Sequence, residues 1–318
     1  MDLRLRVVAL LGATASGKAR LALEAARRAG AEILSCDSMK VYRGLDVGTA
    51  KPDAATRSAV RWHGLDLVEP HERFDVATWV KVAEDALTSA RDRRVPVLVE
   101  GGTVLYLKAL TEGLFEGAPR DAVARARIRS EIEAQGSASL HARLAELDPD
   151  AGRRIHPNDA RRIERALEVH AATGRPISDL QSHFGRLRAG VTRRVFAIAH
   201  RREDLDRRIN RRVDRMVAAG WLEEVRELAR RAISVEAEQA LGYRELLAHV
   251  RSGEKEPLSP LIETIKTKTR RFARRQLNWL RHHVEGIEIL DVPPGAEAHE
   301  RHLDTVVAAL RESVGEPA

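Results

Sequence analysis

Cysteine is almost missing from this chain. One thiol, Cys36, stands among 318 residues. That excludes a disulfide framework and a multi-thiolate metal site, and it points to a reducing compartment. Long apolar runs are missing too. The longest early one, Val7 to Ala15, is interrupted by Gly12 and too short to span a bilayer. No plausible cleavage site accompanies it, so no signal peptide is expected. A cytoplasmic monomer with no membrane partner is the resulting expectation. Lysine is scarce as well: 8 of the 54 basic side chains, the other 46 being arginine. Arginine suits phosphate forks, and a GC-rich genome gives the same bias. There is no internal repeat and no low-complexity tract.

What is present reads as globular. Hydrophobic residues make up 43% and charged residues 32%, too many aliphatics for disorder. The length suggests roughly two domains. A net charge of +7 permits a nucleic-acid partner without requiring one.

Short apolar segments alternate with helical patterns in the first third. "RLRVVALLG" reads as a strand, "ARLALEAARRAG" as a helix closed by Gly30, and "AEILSCD" as a strand ending in Asp37. "VPVLVEGGT" reads as another strand, leading into a helix from about Leu105. This alternation predicts βαβ units and a parallel sheet. From about Pro119 to Gly190 only helical patterns occur. A strand at Arg193 to His200, two long helices and a last strand, "IEILDV", follow, and the final "GEPA" is expected to fray. The expected organisation is an α/β core, 1–118 and 190–318, interrupted by a mainly helical insertion, 119–189.

Residues 12–19 read GATASGKA. Gly12, Gly17 and Lys18 fit G-x-x-x-x-G-K, a match that arises by chance roughly 0.03 times in such a chain. A buried strand before and a helix after suit a phosphate loop. Its backbone amides and the helix N-terminus would favour an anion, and Lys18 would reach a terminal phosphate as a point charge. Gly12, Ala13, Thr14, Ala15, Ser16, Gly17, Lys18 and Ala19 are therefore the candidate diphosphate-binding residues. The bland alternative is a Gly-rich turn without a ligand. Ala19 occupies the position where Ser or Thr usually gives Mg²⁺ a hydroxyl. Metal binding would then rely on waters, substrate oxygens or another side chain, with Ser16 and Thr14 as candidates.

Asp37 falls at the carboxyl end of a predicted parallel strand, where ligands sit in open α/β sheets. It could ligate a metal or accept a proton, or simply cap a turn.

Five segments occur in order: GATASGKA, DSMKVYRGLDVGTAKP, GGTVLYLKAL, HPNDARRIERALEV and LGYRE. Together they resemble the tRNA dimethylallyltransferase family, over about Val7 to Arg281. The resemblance implies a P-loop NTPase-like core that binds dimethylallyl diphosphate without hydrolysing ATP. It implies transfer of the dimethylallyl group to the exocyclic amine of the adenosine immediately 3′ of the anticodon of tRNA. It implies Mg²⁺ as the cofactor, bridging the diphosphate.

By the same resemblance Asp37 matches a general base, and Thr103 a residue at the reacting centre. Arg212 matches a diphosphate contact, although four other arginines lie within five residues of it, and Lys18 acts with the loop. The matching tRNA contacts are Asp37, Ser38, Met39, Lys40 and Thr103; Arg125; Arg161, Arg162, Ile163, Glu164 and Arg165; and Gln239, Ala240, Leu241, Gly242, Tyr243 and Arg244. The insertion and the core would clamp the anticodon stem-loop from two sides. Lys40 stands where the family carries Gln, and an ammonium only donates hydrogen bonds where an amide also accepts. Val104 replaces a small residue and is expected to narrow the pocket.

Helical spacing places Ile163 and Leu167 on one face, with Arg161 and Arg165 opposite, facing phosphate or solvent. From Thr264 to His283 seven cations occur without an acid, and Ile265, Phe272, Gln276 and Trp279 keep the spacing of a core face. That basic stretch suits phosphate contacts or a solvated face. The histidines show no metal-ligand spacing, and His156 before Pro157 reads as a helix start. The four tryptophans read as core. Competing readings are a diverged paralogue that binds tRNA with weak or no transferase activity, a prenyltransferase acting on free adenine nucleotides, and a small-molecule kinase. Ala19 counts against the kinase.

Overall fold

The structure is a computed structural model that describes residues 5–114, 121–181 and 185–314. The boundary expected near Pro119 and the fraying expected over 315–318 lie outside the described residues. The chain forms two compact units, Met1–Thr111 with Leu187–Ala318, and Glu112–Arg186.

The first unit begins with β1 (Leu5–Gly12), α1 (Lys18–Ala29), β2 (Glu32–Cys36), α2 (Ala54–Ala59), β3 (Trp62–His63), α3 (Val76–Asp92), β4 (Val97–Gly101) and α4 (Val104–Glu112). The second unit holds α5 (Ala122–Gln135), α6 (Ser137–Leu147), α7 (Pro149–Arg154), α8 (Ala160–Thr173) and α9 (Ile177–Leu180). The chain then returns to the first unit through β5 (Val191–His200), α10 (Arg202–Ala218), α11 (Trp221–Ala229) and α12 (Val235–Glu238). It finishes with α13 (Tyr243–Arg251), α14 (Leu258–His283), β6 (Ile287–Val292) and α15 (Ala298–Ser313).

All six strands pair in parallel, in the order β3-β2-β4-β1-β5-β6. The central strands are apolar at nearly every position because helices cover both faces. Every residue of β2 and β4 is buried, Cys36 included. Helix α1 turns Leu21, Ala22, Ala25 and Ala26 toward the sheet and packs with α15 over Leu10, Leu98 and Ile198. It stops at Gly30, whose φ of 64° is left-handed and open to glycine at no steric cost. On α3, Trp79 donates its indole N–H to the Ser35 carbonyl at 3.0 Å and stacks on Tyr106. Topology and edge chemistry are those of a P-loop NTPase-like α/β fold. The two-residue β3 and the closing helix α15 carried no strong sequence signal; α15 is recognisable only by what it covers.

The second unit is wholly helical among its described residues and has its own core, Ile128, Leu140, Leu144, Ile163, Leu167 and Ile177. His156 does not start a helix. Asp159 caps α8 instead, accepting from the Arg162 amide at 3.2 Å.

Candidate active site

The loop after β1 is a tight strand-to-helix turn. Ala15 (φ 65°) and Gly17 (φ 89°) are left-handed, and Ala15 bears the strain of a Cβ in that region. A Cβ on Gly12 would sit 2.8 Å from Ser16 Oγ. The loop is braced from behind. Gln276 of α14 accepts from the Thr14 amide at 2.9 Å and donates to the Gly102 carbonyl at 3.2 Å, tying the loop to the GGT turn. His200 contacts the Ser16 carbonyl at 2.8 Å. Arg208 donates to the Ala15 carbonyl at 3.1 Å while its fork holds Glu297. The amides of Thr14 and Ser16 are thus turned to Gln276 and to the Ala13 carbonyl. The expectation that all loop amides point at a ligand is corrected for these two.

In front of the loop lies a cavity of about 420 Å³, entirely within the first unit. Thr14 to Ala19, Asp37, Ser38, Met39, Lys40, Thr103, Arg212, Gln239, Ala240, Leu241 and Tyr243 all line it. Gly12, Ala13, Gly242 and Arg244 are not among its lining residues. Val104 is buried and also absent from the lining, so the narrowing expected from it does not occur.

Asp37 follows the last residue of β2, at the carboxyl edge of the sheet. Its Oδ1 accepts from the amides of Met39 at 2.8 Å and Lys40 at 3.4 Å, a turn cap that fixes the carboxylate at the cavity wall. The turn-cap reading of this residue holds, and the cap leaves the carboxylate at the cavity wall. Thr103 Oγ1 accepts from the Ser38 amide at 3.1 Å, and Cys36 Sγ donates to the Thr103 carbonyl at 3.4 Å. These bonds lock the ends of β2 and β4 together. Gly101 allows it: a Cβ there would lie 2.0 Å from the Cys36 carbonyl oxygen.

Cations dominate the far wall. Arg212 of α10 donates to the Thr49 carbonyl at 3.4 Å, and burial lowers its pKa against the pull of Asp37 and Glu100. Arg208, one turn earlier, serves the back of the loop, so the two neighbouring arginines have different tasks. Lys18 reaches the Ala13 carbonyl at 3.3 Å. Burial lowers its pKa to about 8; Glu100 opposes this, Lys40 and Arg212 add to it, and Asp37 opposes it. An ammonium crowded by cations is held ready for an anion.

Two side chains here depart from the sequence expectation. Lys40 is only 5% exposed, and its ammonium stands 3.6 Å from Oε2 of Glu100, itself fully buried at the end of β4. Sequence reading missed Glu100. Its signal was a lone charge closing an otherwise apolar strand, VLVEG. Gln276 was also missed as a site residue, having been placed on a core face. The buried face of α14 is Ile262, Ile265, Thr269, Ala273 and Leu280. Gln276 and Phe272 line the cavity, and Trp279 is 36% exposed. Several cations of that helix are already engaged: Lys266 with Asp214 and Glu263, Lys268 with Glu245, Arg270 with Asn210.

The rest of the DSMKVYRGLDVGTAKP segment builds a wall. Glu224 accepts from the amides of Asp46 (2.8 Å) and Val47 (2.7 Å) and from the Tyr243 hydroxyl (2.6 Å). Buried Lys51 holds Asp46 at 2.7 Å and Asp66 at 2.6 Å. A Cβ on Gly48 would fall 2.1 Å from the Trp221 indole nitrogen, and one on Gly242 would fall 2.3 Å from the same ring. Gly242 thus lets the Trp221 ring pack against its backbone.

In the second unit Ile163 is fully buried, so its side chain is core and not an RNA contact. Glu164, 6% exposed, takes Arg125 at 2.7 Å and Arg129 at 2.9 Å. Arg165 pairs with buried Glu168 at 2.9 Å, and Arg162 with Asp159 at 3.4 Å. Arg161 lies exposed on the same helix. Opposition of the apolar and basic faces of α8 holds, with part of the basic face internally paired.

The family described as IPP transferase matches residues 40–283 of this chain. A tRNA dimethylallyltransferase of Anaeromyxobacter sp. is 44% identical over 301 residues, 94% of this chain and 99% of that one. One of Syntrophobacter fumaroxidans is 44% identical over 281 residues, 87% of this chain and 81% of that one. The solved full-length tRNA isopentenylpyrophosphate transferase of Bacillus halodurans is 32% identical, with a TM-score of 0.68 and 97% of each chain covered. A eukaryotic dimethylallyltransferase solved acting on tRNA, 24% identical with a TM-score of 0.77, shares the fold. The match spans both units and the segments that wall the cavity, and the chain belongs to the IPP transferase family, among the tRNA dimethylallyltransferases.

Proposed function

We propose that this cavity transfers the dimethylallyl group of dimethylallyl diphosphate to the exocyclic amine of the adenosine 3′-adjacent to the anticodon of tRNA, in the cytoplasm. The observation that carries the reading is the convergence of the phosphate loop, Lys18, Arg212, Asp37 and Thr103 on one cavity.

The diphosphate occupies the loop, with Lys18 and Arg212 against its oxygens. The five-carbon group meets the apolar side of the lining, Met216, Trp221 and Phe272. The acceptor base must leave its stack to reach the cavity, as bases do for enzymes that act on them. A single-stranded loop makes that extrusion easy. Asp37, oriented by its turn, takes the amine proton as the nitrogen–carbon bond forms and the carbon–oxygen bond to diphosphate breaks. Negative charge grows on the departing diphosphate, where the cations of Lys18 and Arg212 lie. Thr103, tied to the Ser38 amide, positions the reacting centre. Its bond also keeps Asp37 at a fixed distance from the loop. Arg161 and its neighbours on the second unit supply phosphate contacts to the anticodon arm.

The residues present fit a divalent cation, Mg²⁺: Glu100 is a buried carboxylate whose oxygens accept no hydrogen bond, whereas Ala19 has no oxygen to offer. When bound, the cation neutralises charge on the diphosphate oxygens.

The test uses labelled dimethylallyl diphosphate, purified protein and unmodified tRNA whose anticodon is followed by adenosine, beside free adenosine monophosphate. Label in tRNA alone is expected. Label in the nucleotide would move the reading to a small-acceptor enzyme. No label in either, with tRNA still bound, would leave an RNA-binding paralogue without the chemistry.

A further inference from the structure

We propose that Glu100 is the protein's carboxylate partner for the divalent cation carried by the diphosphate, and that it takes over the task left vacant by Ala19. The inference rests on the reading of the cavity as a diphosphate site and names the residue through which this chain holds the metal.

Strand alternation places Glu100 on the same face of β4 as Leu98. Leu98 packs against α1 in the core. Glu100 therefore points to the α1 side of the sheet, at the level where that helix begins with Lys18 and Ala19. Its strand lies next to β1, which carries the loop, with Leu10 and Glu100 in register. A carboxylate at that edge, beside the loop lysine, is where P-loop enzymes hold their metal with an acidic strand end.

The carboxylate is fully buried and lines the cavity, and neither oxygen accepts a hydrogen bond. Buried carboxylates that are satisfied look different: Glu164 in this chain has two guanidinium hydrogen bonds. Lys40, ion-paired with Glu100, stands off at 3.6 Å. That distance lessens the lone charge without filling its lone pairs. Leaving such a group unbonded costs free energy, so its oxygens call for a ligand.

The ligand is a metal ion. Among the described residues no three His, Cys, Asp or Glu side chains cluster into an all-protein cage. Mg²⁺ does not need one; it is commonly held by one or two carboxylates, several waters and substrate phosphates. One carboxylate beside a phosphate loop meets that requirement; with no hydroxyl at Ala19 and Asp37 assigned to the amine proton, Glu100 is the cavity carboxylate left for the cation.

Mn²⁺ binding, read by electron paramagnetic resonance of the free ion, tests this with inorganic pyrophosphate as the anion. Glu100→Gln is expected to weaken Mn²⁺ binding in the presence of pyrophosphate roughly 10- to 100-fold. Metal-free pyrophosphate binding should stay equal or tighten, because a negative charge has been removed. Lys40→Gln/Glu100→Gln removes both members of the ion pair, leaves no lone buried charge, and should show the same loss. Ala19→Ser added to Glu100→Gln should restore part of the affinity. Unchanged Mn²⁺ affinity in both Glu100 variants would overturn the proposal and leave Glu100 as the counter-charge of Lys40. Pyrophosphate that fails to bind wild type with or without metal would overturn the diphosphate reading itself, a separate and distinguishable failure.

Discussion

The two halves of one segment, Asp37–Lys40 and Asp46–Lys51, behave differently. The first faces the cavity, with Asp37 oriented by its own turn and by its neighbour's bond to Thr103. The second gives Gly48, Thr49 and Ala50 to the wall of the same cavity, while its remaining groups are tied to charged partners behind that wall. Glu224 collects its amides, and Lys51 gathers two aspartates and the Tyr42 carbonyl. Both halves are equally specific as sequence, for different physical reasons. On the proposed reading one set of residues acts on a substrate, and the other sets the shape of the wall that carries Arg212's partner, Thr49.

Breaking the first half gives the largest effect. Asp37→Ala is expected to cut transfer to tRNA by about 10²- to 10⁴-fold, the range for a general base. tRNA affinity, measured by filter binding, should be nearly unchanged, while the unfolding midpoint falls by a few degrees because the Met39 and Lys40 amides lose their cap. A folded variant that no longer binds tRNA would show that Asp37 positions RNA and does not serve as the base.

Breaking the second half should reverse that pattern. Glu224→Gln replaces a charged acceptor that holds two short amide bonds and the Tyr243 hydroxyl. Hydrogen bonds to a charged group contribute about 1.5–3 kcal/mol, so a loss of about 2 kcal/mol is expected. In a unit of this size that lowers the thermal midpoint by roughly 4–8 °C. Transfer per folded molecule should fall far less than in Asp37→Ala. Equal loss of activity in the two variants, with no change in midpoint, would erase the distinction between the halves.

The same division decides what sequence could reveal. The strands of the sheet, α1 and the phosphate loop are visible because their signals are local: an apolar run, a glycine, a lysine at fixed spacing. Asp37 is visible because a strand end is a position that pattern alone can locate. Glu100 and Gln276 are not, since their meaning comes from neighbours in other elements. Gln276 matters only because α14 crosses behind both the loop and Gly102. Phe272, Gln276 and Trp279 share a helical stripe with Ile265, yet the true buried stripe runs through Thr269 and Ala273. Polar Thr269 disguised it by bonding back to the Ile265 carbonyl at 2.7 Å. Likewise, Ile163 sits inside a stretch that resembles tRNA contacts and proves to be a packing residue. A motif marks a neighbourhood, and burial then sorts its members.

The smallest effect sharpens the first half of the comparison, through the loop it faces. Lys18 titrates near 8 in the folded protein, against an ordinary 10.5. Between those values the folded protein holds fewer protons at this position than the unfolded chain. Lys18 therefore favours folding progressively more as pH rises from about 8 to 10.5, and binding of an anion shows the opposite sense. A diphosphate favours the charged ammonium, so metal-free pyrophosphate binding should weaken as pH rises past about 8, by up to roughly tenfold per unit. At pH 8.5 binding should also take up part of a proton, visible as a heat that differs between buffers of unlike ionisation enthalpy. Lys18→Met should bind weakly at every pH and show no uptake at this position. A wild-type affinity flat from pH 7 to 9.5 would mean that burial, with the cations beside it, does not hold the charge of Lys18 in check, and that the loop is not poised for an anion in the way its buried, cation-lined wall implies.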